Sequence, residues 1–431
     1  MFRRMIVLSY REVMMGRLVM KFGGTSVADI DRIRNVARHV EREVKAGHHV
    51  AVVVSAMSGT TNQLVDWCRQ AAAIHDAREY DAVVATGEQI TAGLLAIVLQ
   101  DMGIPARSWQ GWQVTVKTDG VHGSARITGM DADDIKKRMD QGQVAVIAGF
   151  QGIGPDKRIS TLGRGGSDTS AVAVAAALEA TCDIYTDVDG VYTADPRIVT
   201  AAHKLDRISY EEMLEQASLG AKVLQTRSVE LAMVYKVPLQ VRSSFEPPDS
   251  PNQNKPDGTG PGTIVCDEEK IVEQHVVSGI TYSRDEAKVS IRHVKDKPGV
   301  SAAIFAPLAD SDISVDMIVQ NVSPDGSFTD ITFTLARKDL RKAIEVLNGV
   351  KDKVEFSQLV HSADVAKVSV VGIGMRSHAG VAAKMFSCLA DKGINIQAIT
   401  TSEIKVSVLI DEAYTELAVR ALHTAYGLDK A

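Results

Sequence analysis

The sequence lacks the features that mark several classes of protein. It has only four cysteines in 431 residues and no CxxC pair, so neither a zinc site nor a disulfide framework is indicated, and a cytoplasmic location is expected. No apolar run approaches the roughly 20 residues of a membrane span. Positive charge is not in excess either, because 48 Lys and Arg stand against 54 Asp and Glu, and only 5 % of residues are aromatic. We therefore expect neither nucleic acid nor a membrane as a partner.

The length and the first residues limit the domain organisation. At about 100–200 residues per domain, the chain has room for roughly two to four domains. Residues 1–16 include basic residues and a short apolar patch, but neither a long apolar core nor a clear cleavage site. We interpret them as an N-terminal extension.

Short apolar runs alternate with long amphipathic stretches from residue 18 to about 241, which is typical of an α/β fold with a mainly parallel sheet. Runs that are apolar on both faces predict helices on both sides of the sheet, an αβα sandwich. The predicted strands are 18–22, 49–54, 144–149, 182–187 and 238–242. The predicted helices are 26–45, 62–75, 80–101, 168–180, 209–219 and 226–235. The segment 246–262 is rich in proline and glycine and is predicted to be an exposed loop, with 263–266 returning as a last strand.

The last third of the chain contains a degenerate internal repeat. Residues 298–318 align with 379–399 at a constant offset of 81. Each copy predicts a ferredoxin-like βαββαβ unit, but only the first continues into a final strand, at about 352–358. We expect the apolar segment 274–282 to supply the missing strand of the second unit, so that the first is inserted into it; the alternative is an open sheet edge. The predicted domains are 17–266, 284–360, and 267–283 together with 361–431.

Three loops have the composition of an anion-binding site. KFGGTSV at 21–27 places Lys21 and two glycines between a strand and a helix, with Ser26 and Asp29 interpreted as a capping box. TLGRGGSDTS at 161–170 places three glycines and an arginine before an apolar helix, and YTDVDGVYTADPR at 185–197 is an acidic loop after a strand. Each alone is compatible with an ordinary turn. Their joint occurrence, expected at the carboxyl ends of strands, predicts a nucleotide site.

These motifs, together with VVSAMSGTTN, ATGEQ, GFQGI and SLGAKVL, stand in the order found in aspartate kinases, and the sequence resembles that family over about 18–428. The repeat is similar to the paired ACT domains of the family. The resemblance implies an amino-acid-kinase domain followed by two ACT domains. It also implies transfer of the ATP γ-phosphoryl group to the side chain of L-aspartate, the first step of lysine, threonine and methionine biosynthesis.

The chemistry of this reaction fits the residues available. A carboxylate is already ionised at neutral pH, so no general base is required. Two anions must instead be brought together, which calls for cations, backbone N–H groups and Mg²⁺ entering with the nucleotide. No metal ligand from the protein itself is implied.

The resemblance also implies roles for individual residues. The implied catalytic residues are Lys21, Arg164 and Asp168. The implied ATP contacts are Lys21, Phe22, Gly23, Gly24, Thr186, Asp187, Tyr192, Arg197, Lys222 and Val223. The implied aspartate contacts are Ser55, Thr61, Glu88, Arg164, Gly165 and Ser167. Within this set, Glu88 would hold the substrate ammonium group and Arg164 its α-carboxylate.

The ACT-like units are expected to bind an amino-acid effector, with lysine, threonine or both as inhibitors. The implied effector contacts are Asp296, Gly299, Gln320, Asn395, Ile396, Thr401, Ser402 and Glu403. The resemblance further implies a homodimer or higher oligomer formed through these units, and a shorter regulatory subunit is an additional form to consider. Two other functions stay open: a kinase for another amino-acid carboxylate, such as glutamate, and a catalytically silent amino-acid sensor.

Overall fold

The computed structural model describes residues 16–220, 223–248, 262–271 and 276–429. The chain divides into two units. The first contains the chain as far as Val191, with 204–217 and 222–272, and the second contains 192–203, 218–221 and 273–431. Residues 1–15 of the predicted extension and 249–261 of the predicted loop lie outside the described residues.

The first unit contains the elements of an α/β fold. Its strands are β1 (Arg17–Phe22), β2 (His49–Val54), β3 (Ala106–Trp109), β4 (Val116–Thr118), β5 (Ile127–Met130), β6 (Val144–Ala148), β7 (Gln151–Ile153), β8 (Ile159–Thr161), β9 (Thr181–Thr186), β10 (Arg207–Ser209), β11 (Leu239–Ser243) and β12 (Thr263–Cys266). Its helices are α1 (Ile30–Lys45), α2 (Thr60–Ala71), α3 (Ala77–Val84), α4 (Thr86–Asp101), α5 (Asp133–Met139), α6 (Gly166–Leu178), α7 (Tyr210–Ser218) and α8 (Thr226–Tyr235).

The main sheet of this unit has eight strands in the order β10-β12-β11-β9-β1-β2-β6-β3. The central strands β9, β1, β2 and β6 are parallel, and β12 runs antiparallel to β11. The remaining strands form a small sheet in the order β5-β4-β7-β8. The five strands predicted from apolar runs and the returning strand 263–266 are all found in the main sheet, with ends that differ by at most one residue.

Helices cover both faces of the main sheet, as the apolar pattern predicts. In β1, Leu18 and Met20 belong to a core that includes residues of α1 and α4, whereas Val19 belongs to a core that includes residues of α5, α6 and α8. Successive side chains of a strand point to opposite faces, so a run without polar residues must be covered twice. The αβα sandwich is therefore confirmed.

The helix predicted at 80–101 is instead two helices, α3 and α4, that meet at Ala85. Side chains take two carbonyl groups at this junction: Thr86 Oγ1 donates to the Val83 carbonyl at 2.7 Å, and Gln151 Nε2 donates to the Ala85 carbonyl at 3.0 Å. Such bonds compete with the backbone bonds of a helix. The combined stretch Ala77–Asp101 is apolar and long enough to cross a membrane by those two measures alone, yet half of its most apolar part is buried in the protein, as in a core helix.

The capping box predicted from Ser26 and Asp29 is wrong. Asp29 is itself the N-cap of α1, because its carboxylate accepts a hydrogen bond from the Arg32 N–H at 2.8 Å. Residues Gly24–Val27 form a short 3-10 turn before it. The buried Ser26 hydroxyl donates to Ser244 Oγ at 2.7 Å. Ser26 therefore ties the first glycine loop to the end of β11 rather than starting α1.

The second unit contains the repeat. Its strands are β13 (Gly279–Lys295), β14 (Val315–Val322), β15 (Phe328–Leu335), β16 (Gln358–Val371), β17 (Ala398–Thr401) and β18 (Lys405–Asp411). Its helices are α9 (Val300–Asp310), α10 (Leu340–Gly349), α11 (Lys351–Val354), α12 (Val381–Asp391) and α13 (Thr415–Ala425). The helices α9 and α12 are displaced by the same 81 residues as the sequence repeat, and each follows a glycine with φ near +90°.

The two copies share one antiparallel sheet of order β14-β15-β13-β16-β18-β17. Residues 279–283, the first part of β13, pair with 367–371, and 288–292 pair with 358–362. Each copy thus has the strand order of a βαββαβ unit, and residues 279–283 provide the fourth strand beside the second copy. With this pairing, each of the two repeat copies has its four described strands.

The strand predicted at 352–358 is wrong for most of its length. Residues Lys351–Val354 form a short helix, and the strand begins only at Gln358. Val354 and Phe356 are buried in the core of the first copy. These residues are apolar because they pack against that core. A short apolar run in the sequence does not show whether its residues form a strand or pack against a core in another conformation.

Candidate active site

The carboxyl ends of β9, β1, β2 and β6 lie side by side at one edge of the main sheet. The chain leaving each strand is held to its neighbour by a backbone hydrogen bond. These bonds are Gly23 N–H to Tyr185 O at 3.3 Å, Ser55 N–H to Phe22 O at 3.1 Å and Gly149 N–H to Val54 O at 3.0 Å. Parallel sheets bind ligands at this edge, where the loops after neighbouring strands converge.

Lys21 reaches from β1 to the first turn of α6. Its Nζ forms an ion pair with Asp168 Oδ1, and both side chains are largely buried. A Cβ added to Gly23 would lie 3.5 Å from Lys21 Nζ, so the ammonium group lies beside the glycine backbone. A buried cation, a glycine loop and a helix N-terminus together make a site for an anion. The structure brings together these predicted residues from the first and second loops.

Arg164 lies in the loop from β8 to α6, between Gly163 and Gly165. This loop follows a strand of the small sheet, and it meets the main-sheet edge through the start of α6. Both glycines have positive φ, 76° and 73°. A Cβ at Gly165 would lie 2.1 Å from Gln225 Cγ, so no larger residue fits there. Arg164 is exposed, and within the described ranges no ion pair occupies its guanidinium.

Glu88 lies in the first turn of α4 and is only 3 % exposed. Its Oε1 accepts a hydrogen bond from the Ala56 N–H at 3.1 Å, while Oε2 is buried and has no partner in the part of the chain described. Burial raises the pKa of Glu88 to about 7. An under-coordinated carboxylate beside the end of β2 is suited to receive a substrate ammonium group.

Three other predicted aspartate contacts lie on the elements that form this edge. Ser55 directly follows β2, Thr61 lies in the first turn of α2, and both are half-buried. Ser167 is buried in the first turn of α6. A Cβ at Gly149 would lie 3.0 Å from Ser167 Cβ, so the end of β6 closely approaches the start of α6.

The predicted ATP contacts are divided between the units. Thr186 and Asp187 follow β9, where the Thr186 hydroxyl donates to Asp187 Oδ1 at 3.1 Å. The Phe22 side chain is fully buried, which leaves only its backbone for a ligand. Val223 is half-buried against the first unit's core, and Lys222 lies outside the described residues. No group of three or more metal-ligating side chains is found among the residues that were described.

Tyr192 and Arg197 belong to the second unit. The Arg197 guanidinium is engaged by Asp195, with Nε and Nη2 donating to its two carboxylate oxygens at 3.0 and 2.7 Å. Tyr282 also donates to Asp195, at 3.2 Å. This carboxylate would have to share Arg197 with a nucleotide.

A buried ion pair joins β9 to the neighbouring strand β11. Arg242 Nη1 donates to Asp183 Oδ2 at 2.8 Å, and both residues are almost fully buried. Burial raises the pKa of Asp183 and raises that of Tyr185 to about 12. The Tyr185 ring stacks on Phe22, with centroids 4.5 Å apart. This packing stiffens the strand ends that carry Lys21 and Thr186.

The second unit places three of the predicted effector contacts around one cavity. Asp296, Gly299 and Gln320 line it together with the first residues of α9. The three are exposed, so a small molecule has direct access. The turn before α9 and the second half of β14 therefore lie at the same cavity.

The predicted effector contacts of the second copy are arranged differently. Asn395, Thr401, Ser402 and Glu403 are exposed, and Ile396 is half-buried. A cavity lies at the turn before α12, but it is lined by other residues, among them His378, Lys384 and Tyr426. The β17–β18 hairpin is shorter, 401–405 against 322–328, and Thr401, which the offset of 81 aligns with Gln320, is the last residue of β17.

Comparison with known proteins identifies the family. The model of the amino acid kinase family matches residues 16–243, and models of the ACT domain match 289–352 and 368–426. An aspartate kinase of Stutzerimonas stutzeri is 52 % identical over 417 residues, which is 96 % of this chain and 98 % of that protein. The chain belongs to the aspartate kinase family. Its activity is therefore that of a kinase that phosphorylates aspartate.

Solved structures agree with this assignment to the aspartate kinases. E. coli aspartokinase III in complex with aspartate and ADP is 26 % identical, has a TM-score of 0.75, and is matched over 95 % of this chain and 99 % of that one. The same E. coli enzyme in complex with lysine and aspartate has a TM-score of 0.72 at 26 % identity and the same coverage.

Sequence reasoning missed the residues that hold the aspartate kinase loops in place. Ser244 accepts from Ser26 and, through its own N–H, donates to the Thr186 carbonyl at 2.9 Å, joining two loops. Asp81 and Arg227 bind the segment before Arg164. None of the three lies in a motif that the sequence alone singles out. Asp81, an acid directly before the apolar run 82–85, is the one sequence signal among them.

The raised pKa of Glu88 predicts a pH dependence for aspartate binding. Only the ionised carboxylate attracts an ammonium group, so kcat/KM for aspartate is expected to rise about tenfold per pH unit below 7 and to level off above it. The measurement is steady-state kinetics from pH 5.5 to 8.5 at saturating ATP.

The control for this prediction is Glu88→Gln, which keeps the shape of the side chain but cannot ionise. Its profile corrects for titration of the nucleotide itself. We expect the variant to bind aspartate at least tenfold more weakly and to lose the rise between pH 5.5 and 7. A variant with the wild-type profile would remove Glu88 from the ammonium site.

Proposed function

We propose that the protein transfers the γ-phosphoryl group of ATP to the β-carboxylate of L-aspartate, giving ADP and 4-phospho-L-aspartate, and that amino-acid effectors inhibit it through the ACT units. The observation that carries this proposal is the convergence of the Lys21–Asp168 pair and the carboxylate of Glu88 at one sheet edge. One end of that edge suits a polyphosphate, and the other suits an amino acid.

The catalytic roles follow from charge. Lys21 and the glycine loop at Gly23 and Gly24 hold the phosphates, and Asp168 orients Lys21. Arg164 binds the substrate α-carboxylate and Glu88 its ammonium group, which leaves the β-carboxylate free to attack. A bond then forms between a carboxylate oxygen and the γ-phosphorus, and the bond from that phosphorus to the bridging oxygen of ADP breaks. Magnesium arrives with ATP and supplies further charge neutralisation.

The remaining roles are proposed on the same basis. Ser55, Thr61, Gly165 and Ser167 line the aspartate site on elements that reach this edge. The further nucleotide contacts that the family resemblance implies are Thr186, Asp187, Tyr192, Arg197, Lys222 and Val223, with Phe22 contributing its backbone. A reducing cytoplasm is proposed as the location, which the four free cysteines support.

An assay with two acceptors tests this function against a glutamate kinase and against a silent sensor. ADP release is measured with aspartate or glutamate as the acceptor, and the acyl phosphate is trapped with hydroxylamine. We expect kcat/KM for aspartate to exceed that for glutamate by at least 100-fold, because Arg164 and Glu88 set a fixed distance to the reacting carboxylate. Equal use of glutamate, or no trapped product, would contradict the proposal.

Regulation is proposed to depend on the cavity of the first ACT unit. The cavity joins the N-terminus of α9, which suits an effector carboxylate, to Asp296, which suits an ammonium group, and to the amide of Gln320. A related enzyme solved with lysine and aspartate supports lysine as one effector. The second copy is proposed to contribute Asn395, Ile396, Thr401, Ser402 and Glu403. Pairing of ACT units in a homodimer or higher oligomer, with or without a shorter subunit, is part of this proposal.

Substitution of Gln320 is expected to weaken inhibition without loss of catalysis. Gln320→Ala removes an exposed amide from the effector cavity, so the concentration of lysine or threonine for half-inhibition should rise about 5-fold or more while the uninhibited kcat stays within twofold. The wild type and the variant are titrated with lysine, threonine and both. Superimposable inhibition curves for the wild type and the variant would exclude this cavity as the effector site.

The domain limits 17–266, 284–360, and 267–283 with 361–431 are proposed as the boundaries of the kinase and ACT domains. The pairing of 279–283 with 367–371 supports the split second ACT domain. The ACT family models, which match 289–352 and 368–426, lie inside these limits.

A further inference from the structure

A buried carboxylate lies between helix α3 and the loop that carries Arg164. Asp81 is fully buried, and both of its oxygens accept hydrogen bonds from two separate segments. His122 Nδ1 at 2.7 Å and the Gly123 N–H at 3.1 Å belong to the first segment. The Thr161 N–H at 3.0 Å and its hydroxyl at 2.5 Å belong to the second.

A guanidinium group binds the same two segments through their carbonyl groups. Arg227, in the first turn of α8, donates through Nη1 to the Leu162 carbonyl at 2.6 Å and through Nη2 to the Ala125 carbonyl at 2.9 Å. Between the two charges, the Ala125 N–H donates to the Thr161 carbonyl at 2.9 Å. The Asp81 carboxylate therefore accepts hydrogen bonds from N–H and O–H groups, and the Arg227 guanidinium donates to carbonyl groups. Neither side chain could replace the other, because a carboxylate cannot donate and a guanidinium cannot accept.

This pair of charges, Asp81 and Arg227, encloses the start of the Arg164 loop. Leu162 is held by Arg227, and three residues later Gly165 lies against Gln225 at the start of the same helix, α8. Gly163 lies near the first segment, since a Cβ on it would be 3.2 Å from the Gly123 carbonyl. Arg164 is thus the one side chain projecting from a loop that is fixed on both sides.

We propose that Asp81 and Arg227 form a charged clamp that positions Arg164 for the aspartate α-carboxylate. They are positioning residues, since both act through the loop and neither is part of the proposed substrate site. The clamp rests on the proposed function of Arg164. The clamp explains why two charged side chains hydrogen-bond to a backbone segment between a strand and a glycine loop. Packing alone would leave the backbone of the glycines free to change conformation.

The test is a double-mutant cycle in the full-length protein, with aspartate and ATP varied separately. Arg227→Met keeps the stem but loses both hydrogen bonds, so KM for aspartate should rise about 10-fold while KM for ATP stays within twofold. Because the clamp acts through Arg164, the double variant with Arg164→Ala should be no worse than Arg164→Ala alone. Arg227→Lys, which keeps the charge, should recover part of the loss.

Two further variants keep the test decisive. Thr161→Val removes one hydroxyl donor to Asp81 with little change of shape, and should raise KM for aspartate about 3-fold even if Arg227→Met folds poorly. The matched control is Arg158→Met, which breaks an exposed ion pair with Glu79 on the same helix as Asp81 and should leave both KM values unchanged.

Selective loss of aspartate binding that vanishes in the Arg164→Ala background supports the clamp. An equal rise of both KM values, or a loss that adds fully to that of Arg164→Ala, overturns it and leaves a purely structural role. These outcomes differ from failure of the proposed function, in which the wild type itself would release no ADP in response to aspartate.

Discussion

Replacement of Lys21 by alanine is expected to lower kcat by about 10³-fold or more, the largest effect of any substitution considered. Lys21 is a buried cation at the phosphate end of the site, where it stabilises the charge that develops during phosphoryl transfer. The measurement is ADP release at saturating ATP and aspartate. A kcat near that of the wild type would exclude Lys21 from the phosphate site.

Loss of Lys21 also leaves the carboxylate of Asp168 buried without its partner, which is expected to cost about 3–5 kcal/mol of unfolding free energy. The double variant Lys21→Ala/Asp168→Asn removes both charges and serves as the control. It should regain much of the stability, measured by urea unfolding, while staying inactive. Activity that returned along with stability would show that the single variant had only disturbed the fold.

Replacement of Arg164 by alanine is expected to lower kcat/KM for aspartate by about 10²–10³-fold, with KM for ATP within threefold of the wild type. Arg164 is exposed and carries no ion pair in the described part of the chain, so its guanidinium is free for a bidentate bond to a carboxylate. Truncation of an exposed side chain should leave the unfolding midpoint nearly unchanged. We therefore expect the substitution to change the use of aspartate and not the stability of the fold.

Arg164→Lys is the matched control, because it keeps the charge but cannot form two parallel hydrogen bonds. We expect it to recover at most a tenth of the wild-type kcat/KM. A full recovery would show that charge alone is needed at this position, and an unchanged value for Arg164→Ala would remove Arg164 from the aspartate site.

Much of the fold follows from local patterns. The doubly apolar runs at β1, β2 and β6 require helices on both faces, and the offset of 81 residues predicts two copies of one unit. Both conclusions need only the period of apolar residues and the self-similarity of the chain. The helix boundary at Ala85 does not follow from a local pattern, because hydrogen bonds from the Thr86 and Gln151 side chains mark it.

The candidate site divides in the same way. Glycine loops, Lys21 and Arg164 are recognisable because their residue types are unusual where they occur. Glu88 has an ordinary composition for a helix start, and its raised pKa arises only from burial beside the end of β2. Ser26 has the local sequence of a helix cap, but its hydrogen-bond partner, Ser244, is distant in the chain.

Residue types and their spacing were thus sufficient for the architecture and the family. Packing of distant segments decided how far each charged group is removed from water and which backbone it holds, as at Glu88, Asp81 and Arg227. Burial and hydrogen bonding across a fold depend on neighbours in space, and a linear pattern contains no direct record of them.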